Sequence, residues 1–194
     1  MESFFPILPV IVDGYRFEIR CSSEADRGHA QGLCDLIREA SQKADIAIRS
    51  QEELLEKINS GMAVLAFRTD EHGLDLIGGA YLKAWDGGQM VTHSALVVKE
   101  EYRGFKIGRQ IKSLLMEMTQ KKFPGASIFS LTTNASVVKM NTSHGFREVG
   151  LENGPLDEHF WEGCKGCPNF KGLRDESGNR ICCCNAYLWT SGKS

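Results

Sequence analysis

Large apolar and polar side chains alternate through Tyr15-Arg16-Phe17-Glu18-Ile19-Arg20-Cys21, the two-residue period of a half-buried strand. The period then lengthens. Leu33, Leu36, Ile37 and Ala40 recur at helical spacing behind Ser23, whose pairing with Asp26 three residues on is a capping signal. Leu54, Leu55, Ile58 and Met62 do the same behind Ser50 and Glu53. Two amphipathic helices are therefore expected after the first strand. Residues 63–68 and 74–85 read as strands joined by the turn Asp70-Glu71-His72-Gly73. Residues 89–99 read as a third after Asp86-Gly87-Gly88, completing an antiparallel meander. Ile107, Ile111, Leu114, Leu115 and Met118 lie on one face of a helix that ends at Lys121-Lys122, before Pro124-Gly125. A strand at 128–133, a short helix capped by Asn134 and stopped by Gly145, a strand at 146–150 and a last one at 185–190 complete the pattern.

The order β-αα-βββ-α-β-α-β predicts one mixed α/β domain spanning 1–194, with a core at about 15–150 and a Gly- and Cys-rich extension at 151–194. A break near Leu151 is not required by the pattern. With 194 residues, 42% of them hydrophobic and 25% charged, the chain can bury a real core and is far from the composition of disorder. A formal charge of −2 supplies no general field for nucleic acid or an anionic membrane, so any bound anion must be held locally. The apolar start from Phe4 to Val12 carries two prolines, follows Glu2 rather than a basic region, and is too short to span a bilayer. A cytoplasmic protein with no nucleic-acid or membrane partner is expected.

Chemistry concentrates where a strand runs through a tight turn into a helix, Leu96-Val97-Val98-Lys99-Glu100-Glu101-Tyr102-Arg103-Gly104-Phe105-Lys106-Ile107-Gly108-Arg109. The first N–H groups of such a helix are unpaired and carry the positive end of its dipole, a setting for an anion. Gly104 and Gly108 remove side chains where a ligand could approach, and Arg103, Lys106 and Arg109 add positive charge. A pyrophosphate suits this place; a glycine-containing turn before a charged helix is the plainer reading. Neither G-x-x-x-x-G-K-[ST] nor G-x-G-x-x-G after a strand is present, which excludes a P-loop hydrolase and a dinucleotide fold.

Together, the element order and this motif resemble the GNAT superfamily of N-acetyltransferases, whose helix-start motif is [QR]-x-x-G-x-[GA]. Arg103, Gly104, Phe105, Ile107 and Gly108 match in order, with Lys106 at the middle glycine position, where it must adopt a non-glycine conformation or add a charge contact. A second family signature resembles Asn134, Val137, Met140, Asn141, Gly145 and Phe146 at the same spacing, but Asn141 stands where the family often has a tyrosine that protonates the departing thiolate. The resemblance covers about residues 15–150. It implies a central, mostly antiparallel twisted sheet flanked by helices, and acetyl-CoA or another acyl-CoA as co-substrate. Arg103, Gly104, Phe105, Lys106, Ile107, Gly108 and Arg109 would hold the pyrophosphate, backbone groups of Val97 and Val98 would meet the pantetheine arm and thioester, and Asn134 and Asn141 would lie near that arm. Helix capping accounts for Asn134 equally well. The run Thr92-His93-Ser94-Ala95-Leu96-Val97-Val98 and the segment from Phe160 to Cys167 look like a bacterial subgroup linked to arginine-pathway genes, which implies an amino acid acceptor such as glutamate and an acetyl or succinyl donor.

An amine acceptor must lose a proton before it attacks a thioester. By strand alternation Met90, Thr92 and Ser94 point one way and Val91, His93 and Ala95 the other. His93 is the titratable group there, a candidate base acting directly or through water, or a histidine satisfied behind the sheet. Thr92 and Ser94 are candidates for binding the acceptor or positioning water. Finally, Cys164-x-x-Cys167 precedes Cys182-Cys183-Cys184, so Cys164, Cys167, Cys182 and Cys184 could hold a structural zinc, with Cys183 turned away; free thiols or a redox disulfide are the alternative. Two rival functions stand beside the N-acyltransferase: an acyl-CoA sensor without turnover, and a zinc-binding interaction protein acting through the tail. A homodimer is compatible with the chain.

Overall fold

A computed structural model describes residues 8–12, 14–43, 46–71 and 73–191; Phe4 to Ile7 of the apolar start, and His72 of the expected turn, lie outside them. Eight strands form one sheet: β1 (Leu8–Val12), β2 (Tyr15–Cys21), β3 (Ala63–Asp70), β4 (Gly73–Trp85), β5 (Met90–Val98), β6 (Ser127–Thr132), β7 (Arg147–Val149) and β8 (Asn185–Trp189). Their order across the sheet is β1-β2-β3-β4-β5-β6-β8-β7, and every neighbouring pair is antiparallel except β5 and β6. Five helices flank it: α1 (Ala30–Ser41), α2 (Gln51–Asn59), α3 (Ile107–Lys122), α4 (Ala135–Ser143) and α5 (Glu158–Glu162). None of the helices among the described residues is long and apolar enough to cross a membrane.

Local chemistry sets the helix starts. Ser50 Oγ accepts from the Glu53 N–H at 3.1 Å, and Asn134 Oδ1 accepts from the N–H groups of Ser136 and Val137, so each satisfies donors that the first helical turn leaves free. The Ser23–Asp26 pair forms as expected, but it opens a 3-10 turn, Glu24–His29, and the α-helix begins only at Ala30. Met62, expected on the second helix, lies past its end at Asn59.

The strand periods sort side chains onto two faces. Phe17, Ile19, Val64, Ala66, Ala80, Leu82 and Val91 pack beneath Ile111, Leu114, Leu115 and Met118 of α3, while Leu65, Phe67 and Tyr81 pack against Leu33, Ile37, Leu54 and Ile58 of α1 and α2. Two pairings were not expected from the strand pattern. The apolar start supplies β1, which pairs with residues 15–19 of β2. The tail returns as β8 between β6 and β7, with Ala186 and Tyr187 buried, so residues 151–184 are a long excursion between two neighbouring strands.

Candidate functional site

The parallel pair β5–β6 holds together only over Met90–Ser127, Val91–Ile128 and Thr92–Phe129. Past Thr92 and Phe129 the strands diverge, and backbone groups on their facing edges lose their ladder partners. A cavity of about 220 Å³ occupies the opening, bordered by residues 92–96 of β5, His93 included, by residues 129–134 of β6 and the turn after it, and by Arg49, Phe160, Cys167 and Cys184. That is below the roughly 300–1,000 Å³ of pockets for drug-sized ligands, and suits the end of an extended chain with a small reactant.

A bulge shapes the β5 side. The β4–β5 register runs from Tyr81–Ser94 to Gly79–Val97, two residues against three, and Ala95 takes φ +54°, which non-glycine residues enter at a cost of about 1–2 kcal/mol. The extra residue reverses the alternation. Ala95 and Val97 pack with the α1–α2 cluster, while Leu96 and Val98 pack with the α3 cluster, so Ala95 does not share the face of Val91 as simple alternation expected. Close approach of the strands requires Gly78 and Gly79: a Cβ on either would lie 2.6 Å from the Val97 carbonyl oxygen or 2.9 Å from that of Val64. Lys99 N–H donates back to Ile77, so Val98, one residue earlier, directs its N–H and C=O away from β4; that carbonyl accepts from Arg103 Nε at 3.3 Å.

Between β5 and α3 the chain makes a short 3-10 turn and a loop with Gly104 at φ +95° and Lys106 at φ +62°. Lys106 therefore takes the left-handed conformation that a glycine would, where a non-glycine conformation or a charge contact was expected. Among the described residues, the N–H groups of residues 104–108 have no backbone acceptor; the first helical bonds are those of Arg109 and Gln110 to the Lys106 carbonyl. Successive free N–H groups at a helix start form an anion cradle. A Cβ on Gly108 would point among Leu96, Val98 and Met140 at 3.6–3.9 Å, so this glycine keeps a groove open from the loop toward the β5–β6 opening.

The expected catalytic residues separate onto opposite faces. His93 lies beneath α3, its Nε2 2.9 Å from Thr119 Oγ1. Because that hydroxyl donates to the Leu115 carbonyl, it must accept from Nε2–H, which leaves Nδ1 as a buried lone pair without a partner among the described residues. Burial, then the charges of Lys112 and His144, hold the His93 pKa well below its ordinary value, and the ring is neutral. Thr92 is on the other face, where Oγ1 accepts from Trp85 Nε1 at 2.9 Å. Asn134 borders the cavity as the cap of α4. Asn141 is fully buried, and its Nδ2 donates at 3.0 Å to Oγ of Ser130, which borders the cavity; among the described residues its Oδ1 has no partner.

Sequence reasoning missed a charged group at the border of the cavity, Arg49. Arg49 donates from Nε to Tyr81 Oη at 2.7 Å and from Nη1 to the carbonyls of Ala47 and Ile48, leaving Nη2 without a hydrogen bond among the described residues. Tyr81 Oη donates in turn to Glu53, and burial raises its pKa. No motif marks Arg49; only the meeting of the segment before α2 with β4 places it at the cleft. The four cysteines of the expected metal set converge beside the same wall, with Cys167 and Cys184 bordering the cavity. Hydrogen bonds from Cys164 and from Cys184 hold the Cys182 thiol below its ordinary pKa.

No protein-family model matches the sequence, and no curated protein matches it. Solved structures do. N-acetylglutamate synthase from Neisseria gonorrhoeae, complexed with coenzyme A and N-acetyl-glutamate, superposes on 90% of this chain with a TM-score of 0.62 at 17% identity, the match taking up 35% of the synthase. Rv2747 from Mycobacterium tuberculosis, in complex with CoA, matches 89% of this chain and 98% of its own at TM-score 0.62 and 17% identity. A GNAT superfamily phosphinothricin acetyltransferase from Sinorhizobium meliloti, in complex with AcCoA, matches 90% of this chain and 88% of its own at TM-score 0.58 and 18% identity. With a bulged β5 diverging from a parallel β6, and a left-handed loop leading into α3, the chain has the fold of the GNAT superfamily of acetyltransferases.

Proposed function

We propose that the chain is an acyl-CoA-dependent N-acyltransferase that moves an acetyl group from acetyl-CoA to the primary amine of a small, carboxylate-bearing molecule such as an amino acid. One observation carries this reading: the divergence of β5 from β6 opens a cleft whose α3 side begins at free N–H groups and whose other side carries Arg49. Residues 104–108 bind the pyrophosphate through backbone N–H groups, with Arg103, Lys106 and Arg109 adding charge. Val98, turned into the opening, pairs with the extended pantetheine arm, and the bulged backbone through Val97 polarises the thioester carbonyl.

Attack takes place in a ternary complex. Thr92 and Ser94 lie on the acceptor side and orient the amine or a water that accepts its proton. His93, neutral and held to α3 from the opposite face, is a packing residue in this reading, and its replacement leaves the pH–rate profile in place. Arg49 offers Nη2 to the acceptor carboxylate while Tyr81 fixes its fork. The Neisseria synthase, crystallised with N-acetyl-glutamate, supports an acidic amino acid as the first acceptor to test. Asn141 cannot donate an acidic proton, so the thiolate leaves unprotonated or takes its proton from solvent.

The decisive measurement is thiol release from acetyl-CoA and succinyl-CoA against a panel of amino acids, polyamines and peptides. Turnover with an amino acid, lost on Arg49→Met with CoA affinity kept, is the expected result. Tight acetyl-CoA binding without turnover on any acceptor would sink the catalytic reading and leave the acyl-CoA sensor, which the buried Asn141 at the usual tyrosine position favours.

A further inference from the structure

From Gly163 to Cys184 the chain runs for 22 residues without one buried side chain. A segment of that length with little core of its own, Leu173 packing only partly buried against the Phe129–Trp161 cluster, gains one shape from a cross-link, because ordering its backbone is opposed by conformational entropy and little apolar surface is buried in return. Polar contacts shape parts of it. Asp175 accepts from the N–H groups of Ser177 and Asn179 to close a turn, Arg174 and Arg180 pair across it, and both arginines clasp Glu158. Both pairs end on an exposed Glu158 and contribute little, although Arg180 itself is covered by the Trp161 ring. The hairpin's effect is positional: it returns Cys182, Cys183 and Cys184 beside Cys164.

The thiols then cluster. Cys182 Sγ is within hydrogen-bond reach of the thiols of Cys164 and Cys184, Cys167 is close enough to Cys164 to interact electrostatically, and the sulfurs of Cys182, Cys183 and Cys184 lie within 4.8 Å of one another. In a zinc tetrathiolate the sulfurs stand about 3.8 Å apart, as Zn–S bonds of about 2.3 Å in a tetrahedron require. Cys164-Lys165-Gly166-Cys167 already forms a tight turn, its Cys167 N–H donating to the Cys164 carbonyl at 2.9 Å. Cys184 N–H points at Cys182 Sγ at 3.4 Å, a backbone donor that stabilises a thiolate.

We propose that Cys164, Cys167, Cys182 and Cys184 bind one Zn²⁺ as a four-thiolate structural site, and that this ion holds the tail in place as the acceptor-side wall of the cleft. On binding, each thiol releases its proton to solvent and no electron is transferred. Cys183, exposed and hydrogen-bonded to the thiols of Cys182 and Cys184, is not a ligand of this site. Two of the four ligands, Cys167 and Cys184, border the cavity, and Gly166 of the turn faces Ala47 and Ile48, the residues whose carbonyls hold Arg49. The metal thereby braces the wall that carries Arg49, while the pyrophosphate loop lies on α3 and needs no metal. The wall's assignment to the acceptor rests on the proposed function; the metal site does not.

The full chain, purified without chelators, should carry about one zinc by elemental analysis, and Co²⁺ exchanged into it should show the strong visible absorption of a tetrahedral thiolate complex. Cys164→Ser and Cys182→Ser should each lose the metal, Cys183→Ser should keep it, and chelation should open residues 163–184 to trypsin with CoA affinity held within about threefold, under 1 kcal/mol. Zinc below about 0.2 per chain with a silent Co²⁺ spectrum, or a disulfide among these cysteines by mass, overturns the site. A trypsin pattern indifferent to the metal overturns its bracing role. Loss of CoA binding in zinc-loaded protein would count against the proposed function alone.

Discussion

Lys112 shows how much a single buried amine can say about the folded state. It is 3% exposed on α3, has no hydrogen bond among the described residues, and sits 4.2 Å from the centre of the Phe146 ring. Burial drops its pKa from 10.5 to about 7. Between those values the unfolded chain holds a proton that the folded chain does not, so stability rises with pH from about 7 to 10.5 and is lost as pH falls through that window. At about 1.4 kcal/mol per pH unit this reaches at most roughly 5 kcal/mol, trimmed by the Phe146 face, which favours the charged form. Lys112→Met should therefore stabilise the protein at pH 7 by about 1–4 kcal/mol, an advantage that shrinks toward pH 10. Thermal unfolding of both proteins at pH 7, 8, 9 and 10 checks this, and a gap that does not narrow would contradict it. Gly108 offers the complementary test. Its added methyl meets neighbours only at ordinary contact distance, so Gly108→Ala should leave the melting temperature unchanged or raised, since alanine favours a helix by about 0.5–1 kcal/mol. The same methyl enters the groove between Leu96, Val98 and Met140, and acetyl-CoA affinity by calorimetry should fall about tenfold or more.

At the scale of elements, β5 is where pattern and structure part. Alternation placed Thr92 opposite His93 correctly, because side chains up to Ser94 obey a two-residue period that neighbouring residues alone determine. Ala95 ended it. A bulge depends on what the partner strand allows, here the glycines Gly78 and Gly79 facing Val97 and Val64, and the pairing of Gly79 with Val97 joins residues 18 positions apart. The α3 start was legible for the opposite reason: Arg103 to Arg109 form their own loop, and only the left-handed Lys106 departed from expectation. Arg49 was illegible, since its role comes from Tyr81 of β4 and from the cleft, neither of which is local. Gly78→Ala tests the bulge. A Cβ 2.6 Å from a backbone oxygen must displace a strand, costing roughly 1–3 kcal/mol, or about 2–12 °C in melting temperature for a chain of this size. Because the displaced strand carries Val97 and Val98, acetyl-CoA affinity should fall with it, whereas a purely local strain would lower the melting temperature and leave affinity alone.

For the whole molecule, the tail's route decides what can be cut. The sequence pattern gives a core of about 15–150 with an appended extension, a division that invites a cut at Gly150. The sheet says otherwise. β8 pairs with β6 through five residues, from Ile128–Trp189 to Thr132–Asn185, and β7 is held only by β8. Removing residues 151–194 strips β6 of its antiparallel partner, leaves β7 with no strand to join, and uncovers Ile128 and Phe146, which pack with Tyr187, and Phe129, which packs with Ala186 and Trp161. An apolar strand with an open edge is a template for aggregation. Chain 1–150 should therefore be largely insoluble or lack a cooperative thermal transition, and its loss of acetyl-CoA binding would report on folding and not on any function of the tail. A soluble, cooperatively folded 1–150 that binds acetyl-CoA as the full chain does would show that β8 is dispensable. The informative dissection is instead within 163–184, between two elements that the sheet and α5 hold in place, where Cys164→Ser or a shortened hairpin leaves β8 in the sheet. If the tail serves the acceptor, those variants should raise the acceptor KM and leave acetyl-CoA affinity within about threefold, a split that general unfolding cannot produce.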